Sequence, residues 1–277
     1  MSTASPDGRT RALSAGQAAA AGRSIYEAER AARTRPPLSV EHPAMTLADA
    51  YAVQHAYAGL RTSAGATRVG HKVGATSRAI QELFGIDTPD YGQIFDDMVV
   101  ADGVVDLDEL IQPMVEPEVA FILAAELAGP GVDADDVLAA TRALVPCIEV
   151  IDSRIVDWRI RLVDTIADNG SSARCVFGPE VPVAGIDLVA LPVEFRRGPE
   201  IVATATGAAV LGNPAAAVAW LANTLGEYGA GLEAGSVVLS GSFTTAQRAA
   251  AGESYEAAFP LVGSVRCRFV SGGGDGS

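Results

Sequence analysis

Positive charge is what the sequence has least of: 20 Lys and Arg stand against 34 Asp and Glu, a formal net charge of −14 over 277 residues. Without a basic patch to displace phosphate counterions, nucleic acid is excluded as a partner. Anionic membrane surfaces are disfavoured for the same reason. Cysteine is also sparse. Cys147, Cys175 and Cys267 form no CxxC pair, are odd in number and have apolar flanks, so buried free thiols in a reducing compartment are expected. His42, His55 and His71 show neither HExxH nor HxxxH spacing, and no zinc site is expected. The N-terminal Met-Ser-Thr-Ala-Ser-Pro-Asp-Gly carries an acid with no apolar core behind it, unlike a secretory signal. No apolar run is read as approaching the ~20 residues of a membrane span. A cytoplasmic location is the resulting expectation.

Hydrophobic residues make up 49% of the chain, enough for a substantial core in one large domain or two small ones. Residues 1–10 read as disordered. The part from 11 to 95 reads as helix-rich, with helices over Leu13–Arg33, Leu47–Ser63 behind the cap-like Thr46, and Ser77–Phe84. Asp87-Thr-Pro-Asp-Tyr-Gly reads as a turn. From 96 to 270 strand-like runs dominate: Met98–Val100, Val115–Leu123, Cys147–Ile151, Ala173–Phe177, Ile201–Thr206, Val237–Ser240 and Val265–Val270. Two helices interrupt them, over Asp133–Leu144 and behind Asn213-Pro214. The order is irregular and shows no repeat, which predicts a mixed α+β fold and not a doubly wound sheet. Residues 271–277 read as a flexible tail.

Three acids stand where acids do not belong. Glu116 and Glu118 lie in the strand-like Pro-Met-Val-Glu-Pro-Glu-Val-Ala-Phe, and Glu149 in Pro-Cys-Ile-Glu-Val-Ile. Residues i and i+2 of a strand share a face, so Glu116 and Glu118 aim at one spot, and their apolar neighbours put that spot inside. Buried like charges are costly unless neutralised. A hard divalent cation held by carboxylate oxygens is the simplest neutraliser, and three carboxylates leave coordination positions for a chelating substrate.

Other groups surround this core. Lys72 lies in the β-like Val-Gly-His-Lys-Val-Gly and can hold an anion or a developing enolate. Asp90 sits in Pro-Asp-Tyr-Gly, while Asp96 and Asp97 read as surface acids. The segment from Ile151 to Ser172 is dense in groups needing partners, among them Arg154, Asp157, Trp158, Asp164, Asp168, Asn169 and Ser171. It reads as a partly buried loop that walls a site. Leu239-Ser-Gly-Ser-Phe-Thr-Thr can present backbone N–H groups to an anion.

These strings, in order, resemble one family. Gly70-His-Lys-Val-Gly-Ala-Thr-Ser, Ile86-Asp-Thr-Pro-Asp-Tyr-Gly-Gln, Glu116-Pro-Glu-Val-Ala-Phe, Asp152-Ser-Arg-Ile-Val-Asp-Trp, Asp164-Thr-Ile-Ala-Asp-Asn and Gly241-Ser-Phe-Thr are similar to the 2-keto-4-pentenoate hydratase / 2-oxohept-4-ene-1,7-dioate hydratase family of the fumarylacetoacetate hydrolase superfamily. The resemblance runs from about residue 40 to 270. It implies a mixed β-roll of the fumarylacetoacetate hydrolase C-terminal-domain type with a smaller helix-rich N-terminal part. It implies Mg²⁺ or Mn²⁺ on Glu116, Glu118 and Glu149, catalytic roles for Lys72 and Asp90, and a substrate pocket lined by Ser171, Ser242 and Thr244. It also implies a homo-oligomer, a pentamer or decamer.

The implied reaction is addition of water to a 2-hydroxy-2,4-dienoate, giving a 4-hydroxy-2-oxo acid in aromatic or related catabolism. The implied partner is a small anionic 2-oxo or 2-hydroxy acid. Decarboxylation of the 4-oxalocrotonate type is the alternative, acylpyruvate C–C hydrolysis a remoter one, and a non-catalytic relative another class. Gly241-Ser-Phe-Thr is closer to the dioate hydratases, Asp152-Ser-Arg-Ile-Val-Asp-Trp to the pentadienoate hydratases and decarboxylases. A distal carboxylate would want an arginine, for which Arg61, Arg78, Arg154, Arg159, Arg161 and Arg174 are available.

Overall fold

The computed structural model of the chain describes residues 11–77, 81 and 88–272. The expected disorder of 1–10, nearly all of the expected tail, and most of the helix expected over Ser77–Phe84 lie outside the described residues.

The helical layer begins with α1 (Ala15–Arg30), opened by a capping box in which Ser14 accepts from the Gln17 N–H and the Gln17 side chain reaches back. A short α2 (Leu38–Glu41) follows, then α3 (Leu47–Ser63), with bounds as read from the sequence. Thr46 and Asp49 form the second capping box, and the buried Asp49 carboxylate also accepts from the N–H groups of Ala12 and Leu13. Ile25, Leu38, Val53 and Tyr57 of this layer pack with Ile155, Leu162 and Ile166 from much later in the chain. The helical layer is thus closed by the segment from Ile151 to Ser172.

Two sheets form the rest. The seven-stranded sheet runs β2 (Asp90–Phe95), β1 (Arg68–Gly74), β9 (Val237–Leu239), β4 (Met114–Leu123), β5 (Thr141–Ile151), β6 (Ser172–Phe177), with β10 (Gln247–Arg248) beside β4. The five-stranded sheet runs β3 (Val104–Asp106), β12 (Gly263–Val270), β11 (Ser254–Phe259), β7 (Pro192–Arg197), β8 (Glu200–Thr206). Strand alternation splits β4 and β5. Val115, Val119, Phe121, Leu144, Ile148 and Val150 enter the main core with Phe195, Tyr255 and Phe269 of the second sheet. Ala120, Val145 and Cys147 enter a smaller core with Ile94, Cys175 and Leu239. The larger sheet curls until its edges meet, because Val99, just past β2, bridges Cys175 of β6, and the Val100 N–H donates to the Cys175 carbonyl. The smaller core therefore lies inside a rolled sheet. The α+β roll expected from the sequence is what forms.

Several expected elements are corrected. Asp90-Tyr-Gly is no turn but the start of the fully buried β2, paired with β1 through Gly74↔Asp90 and Lys72↔Gly92. The helix read over Asp133–Leu144 ends at Ala140 as α4 (Ala134–Ala140), and Thr141–Leu144 extend β5 against β4. Met98–Val100 is no strand: Asp96–Met98 is a 3-10 turn. Strands β3, β7, β10 and β11 were not anticipated. The stretch Gly207–Gly226 has the length and composition of a membrane span, which corrects the reading that no run approaches one. It is broken by positive φ at Leu211 and Gly212. Its helical part, α6 (Pro214–Gly226), behind the α5 helix (Leu162–Ala167) in chain order, buries Ala215, Val218, Leu221 and Ala222 in the main core.

Candidate metal centre and active site

The register of β4 on β5 places Glu116 directly opposite Glu149. Glu118 shares the face of Glu116, so one carboxylate oxygen from each of Glu116, Glu118 and Glu149 falls within 4.8 Å of the others. Glu118 and Glu149 are at most 1% exposed, and Glu116 is half-buried. Pro117 between them has no N–H to offer. It falls in the gap on β4 between its pairings with β10 (at Met114 and Val115) and with β9 (at Ala120 to Ile122). The loop after β9 fills the gap: the Gly241 N–H donates to Glu118 Oε2 at 2.8 Å and the Phe243 N–H to the Pro117 carbonyl at 3.0 Å. Gly241 adopts φ +108°, and a Cβ there would lie 2.3 Å from Thr76 Oγ1, so a side chain is excluded both sterically and conformationally.

Both oxygens of Glu149 are buried with no hydrogen-bond partner. A buried carboxylate left so is costly, and the three-oxygen donor set is of the kind a hard divalent cation takes. The residues present therefore fit such an ion. Burial, followed by the mutual repulsion of the acids, pushes Glu118 well above the usual carboxylate range; burial lifts Glu116 to about 7, with Lys72 opposing.

Lys72 and Asp90 face the same space from β1 and β2. Lys72 is buried, its Nζ 3.4 Å from Glu149 Oε2 and donating to the Gly170 carbonyl at 2.9 Å. Burial alone would favour loss of its proton, but the charges of Glu149, Asp90, Glu116 and Glu118 hold the ammonium above its ordinary range. The Asp90 carboxyl is raised by burial, against the pull of Lys72 and a hydrogen bond from Thr165. A Cβ at Gly74 would stand 2.1 Å from Asp90 Oδ1 and 3.4 Å from Lys72 Nζ. Glycine keeps that space for the two functional groups.

Ser171 is buried in the turn that carries Gly170; its hydroxyl lies 3.4 Å from Asp168 Oδ2. Ser242 and Thr244 are half-buried, and the Ser242 hydroxyl donates to the Thr244 carbonyl. The link of this loop to the triad runs through Gly241, whose N–H serves the carboxylate of Glu118 and not a substrate anion. Asp96 and Asp97 are exposed as expected. Of the arginines considered for a distal carboxylate, Arg61 pairs with Glu29 and Asp97, Arg154 with Asp168 and Arg174 with Glu109. Arg159 and Arg161 are exposed, and Arg78 lies outside the described residues. The groups missed from the sequence are the Gly170 carbonyl and Thr165. The Gly241 N–H lies in the segment expected to offer N–H groups to an anion, and the anion it meets is Glu118.

A family model described as fumarylacetoacetate (FAA) hydrolase C-terminal matches residues 91–270. A 2-hydroxyhexa-2,4-dienoate hydratase of Comamonas testosteroni is 42% identical over 253 residues, covering 90% of this chain and 96% of that protein. A 2-keto-4-pentenoate hydratase of Paraburkholderia xenovorans (strain LB400) is 40% identical over 254 residues, covering 91% of this chain and 94% of that protein. Among solved structures, 4-oxalocrotonate decarboxylase from Pseudomonas putida G7, complexed with magnesium and adipate, matches with a TM-score of 0.92 at 37% identity, covering 94% of this chain and 100% of that one.

Proposed function

The chain belongs to the fumarylacetoacetate hydrolase C-terminal family, and from that premise we propose that it is a hydro-lyase, a divalent-metal-dependent hydratase that adds water to a 2-hydroxy-2,4-dienoate to give a 4-hydroxy-2-oxo acid. The observation that carries this reading is the meeting of Lys72 and Asp90 beside the three glutamates. Glu116, Glu118 and Glu149 would hold the cation, Mg²⁺ or Mn²⁺. When bound, it would supply Lewis acidity toward the carboxylate and C2 oxygen of the substrate.

The rest of the chemistry falls to this chain. As the C2 hydroxyl gives up its proton and C5 receives one, the dienol becomes a 2-oxo-3-enoate. Water then adds its hydroxyl at C4 and a proton goes to C3. Negative charge gathers on the C2 oxygen in both steps. The Lys72 ammonium, fixed by the Gly170 carbonyl and kept charged by its acid neighbours, opposes it. Asp90 holds a proton more tightly than an ordinary aspartate, which suits a group that must take one from water and return it to carbon. Ser171, Ser242 and Thr244 would line the substrate side. The product would feed a retro-aldol step in aromatic catabolism.

Decarboxylation of a vinylogous 2-oxo diacid is the second reading, favoured by the likeness to a 4-oxalocrotonate decarboxylase. A diacid wants a cation for its far carboxylate, and Arg61, Arg154 and Arg174 are each committed to an acid of the protein. Among the described arginines considered, these three are thus spoken for, which favours hydration of a monocarboxylate such as 2-hydroxypenta-2,4-dienoate over a diacid substrate of either reaction. The test is incubation with Mg²⁺ and 2-hydroxypenta-2,4-dienoate, following loss of diene absorbance and the product mass, with 4-oxalocrotonate in parallel. Gain of one water supports the hydratase and loss of CO₂ the decarboxylase. Turnover of neither by protein that binds the metal would sink both.

A further inference from the structure

Arg154 is buried to 1% exposure, and its guanidinium bonds the two ends of one turn, Asp168 and Ser172, and the carbonyl of Asp152, just before Arg154 in the chain. Nε donates to Asp168 Oδ1 at 2.6 Å, Nη1 to the carbonyls of Asp152 and Ser172 at 2.9 and 3.1 Å, and Nη2 to the carbonyl of Asp168. The backbone N–H of Arg154 adds a bond to Asp168 Oδ2 at 3.0 Å. One side chain therefore grips the carbonyls at both ends of the turn that joins Asp168 to Ser172.

Between those ends Asn169, Gly170 and Ser171 all take positive φ, +56°, +62° and +56°. Only one of them is glycine. Consecutive left-handed residues persist only where their surroundings over-determine them. Asn169 contributes by pairing its side-chain amide with both backbone groups of Gln93 in β2, at 2.8 and 2.9 Å. The result of this conformation is that the Gly170 carbonyl meets Lys72 Nζ. A Cβ at Gly170 would lie 3.1 Å from Lys72 Cδ, so the turn also bounds the lysine stem.

We propose that Arg154 is a positioning residue for Lys72: by clamping the left-handed turn at Asp168 and Ser172 it fixes the Gly170 carbonyl that holds the ammonium beside the glutamates. Without the clamp the turn relaxes toward ordinary φ and the carbonyl leaves its place. Lys72 then moves relative to the substrate while the glutamates on β4 and β5, held by strand pairing, stay put. The inference rests on the hydratase reading for its effect on turnover, though not for its effect on Lys72.

Lys72 is the only lysine in the sequence, so its amine is the sole lysine followed in the parent and the double variant, and peptide mapping separates it from the added amine in Arg154→Lys. The test uses the full-length protein with Mn²⁺. The double variant Arg154→Met with Asp168→Asn removes both buried charges together and leaves neither unpaired. Arg154→Lys is the conservative companion: it keeps a charge opposite Asp168 but cannot span both carbonyls. Circular dichroism reports folding, calorimetry the Mn²⁺ affinity, and mass-mapped acylation the exposure of Lys72. Turnover of 2-hydroxypenta-2,4-dienoate reports the chemistry.

In folded variants with parental Mn²⁺ affinity, we expect kcat to fall by about a hundredfold with KM little changed, the scale of a misplaced catalytic group. Acylation of Lys72 should speed up by about tenfold, as for a buried amide protected mainly by its local structure. Arg154→Lys should fall between parent and double variant. Folded variants with parental kcat and parental acylation would overturn the proposal, as would loss of Mn²⁺ binding with the fold intact, which would place the defect in the triad. If the parent itself does not turn over the dienoate, the hydratase reading fails, and the acylation rate alone decides the role of Arg154.

Discussion

At the scale of single residues, the site is a balance between burial and compensation. A buried lysine ordinarily loses its charge and a buried carboxylate gains a proton; here the acids hold the Lys72 ammonium charged, while its pull only partly offsets the burial that raises Glu116, Glu118 and Asp90. Lys72→Met tests which partner depends on which. Methionine fills the same space without the charge, so the glutamates become more attractive to a cation. Calorimetry should find Mg²⁺ or Mn²⁺ bound at least as tightly as by the parent, while turnover falls by about 10²–10³-fold, the scale of losing one preorganised charge. Weakened metal binding would mean that Lys72 supports the triad and does not serve the substrate.

Its neighbour His71 makes the opposite compromise. Burial, with the charge of Arg68 adding, pushes His71 down to about 3, and its Nδ1 is buried without a partner. The unfolded chain takes up a proton near the ordinary value of 6.5, whereas the folded protein does not. Stability therefore falls as pH drops below about 6.5, with a limiting slope of about 1.4 kcal/mol per pH unit for this group. Denaturant midpoints for His71→Leu should lose that part of the acid slope. An unchanged slope would place the acid sensitivity elsewhere.

At the scale of elements, what decides the site is where strands and one turn touch. Gly92 of β2 faces the carbonyl of Asn169, and a Cβ there would lie 2.4 Å from that oxygen. Gly92→Ala must push the turn away from β2, and overpacking of this kind costs about 1–3 kcal/mol. A drop in the thermal midpoint should accompany a loss of kcat, because the same turn carries the Gly170 carbonyl. A variant as stable and active as the parent would show that the turn has slack. The acids of β4 were legible because two carboxylates at i and i+2 amid Val, Pro, Ala and Phe fit no surface strand. The extension of β5 was not, since Leu-Ala-Ala-Thr-Arg-Ala-Leu favours helix locally and pairing with β4 overrides it. Asp90 looked like turn chemistry for the same reason; only its partner Gly74 on β1 makes it a strand residue. The Gly170 carbonyl could not be read, because a main-chain group carries no letter of its own; the segment around Gly241 reads as offering N–H groups to an anion, but nothing in it says that the anion is Glu118.

At the scale of the molecule, the roll collects residues from Lys72 to Gly241 at one end of a curled sheet, a non-local arrangement that no local pattern encodes. Type and order of motif were therefore legible, and distance was not. The price of the arrangement is three carboxylates, two of them wholly buried, packed within 4.8 Å in a chain already at −14. In the unfolded chain these acids separate into water and bind cations weakly, so a divalent ion is taken up by the folded state alone. It must then stabilise that state, by about 2.7 kcal/mol at a hundred times its dissociation constant. For a domain of this size that raises Tm by roughly 5–10 °C. Melting curves should shift upward on addition of Mg²⁺ or Mn²⁺ and return with EDTA. Glu149→Gln should abolish most of the shift, since it removes a donor whose two oxygens have no other hydrogen-bond partner. A parent whose Tm ignores both ion and chelator would mean that the acids are paid for in some other way, and the metal centre would have to be abandoned along with the reaction built on it.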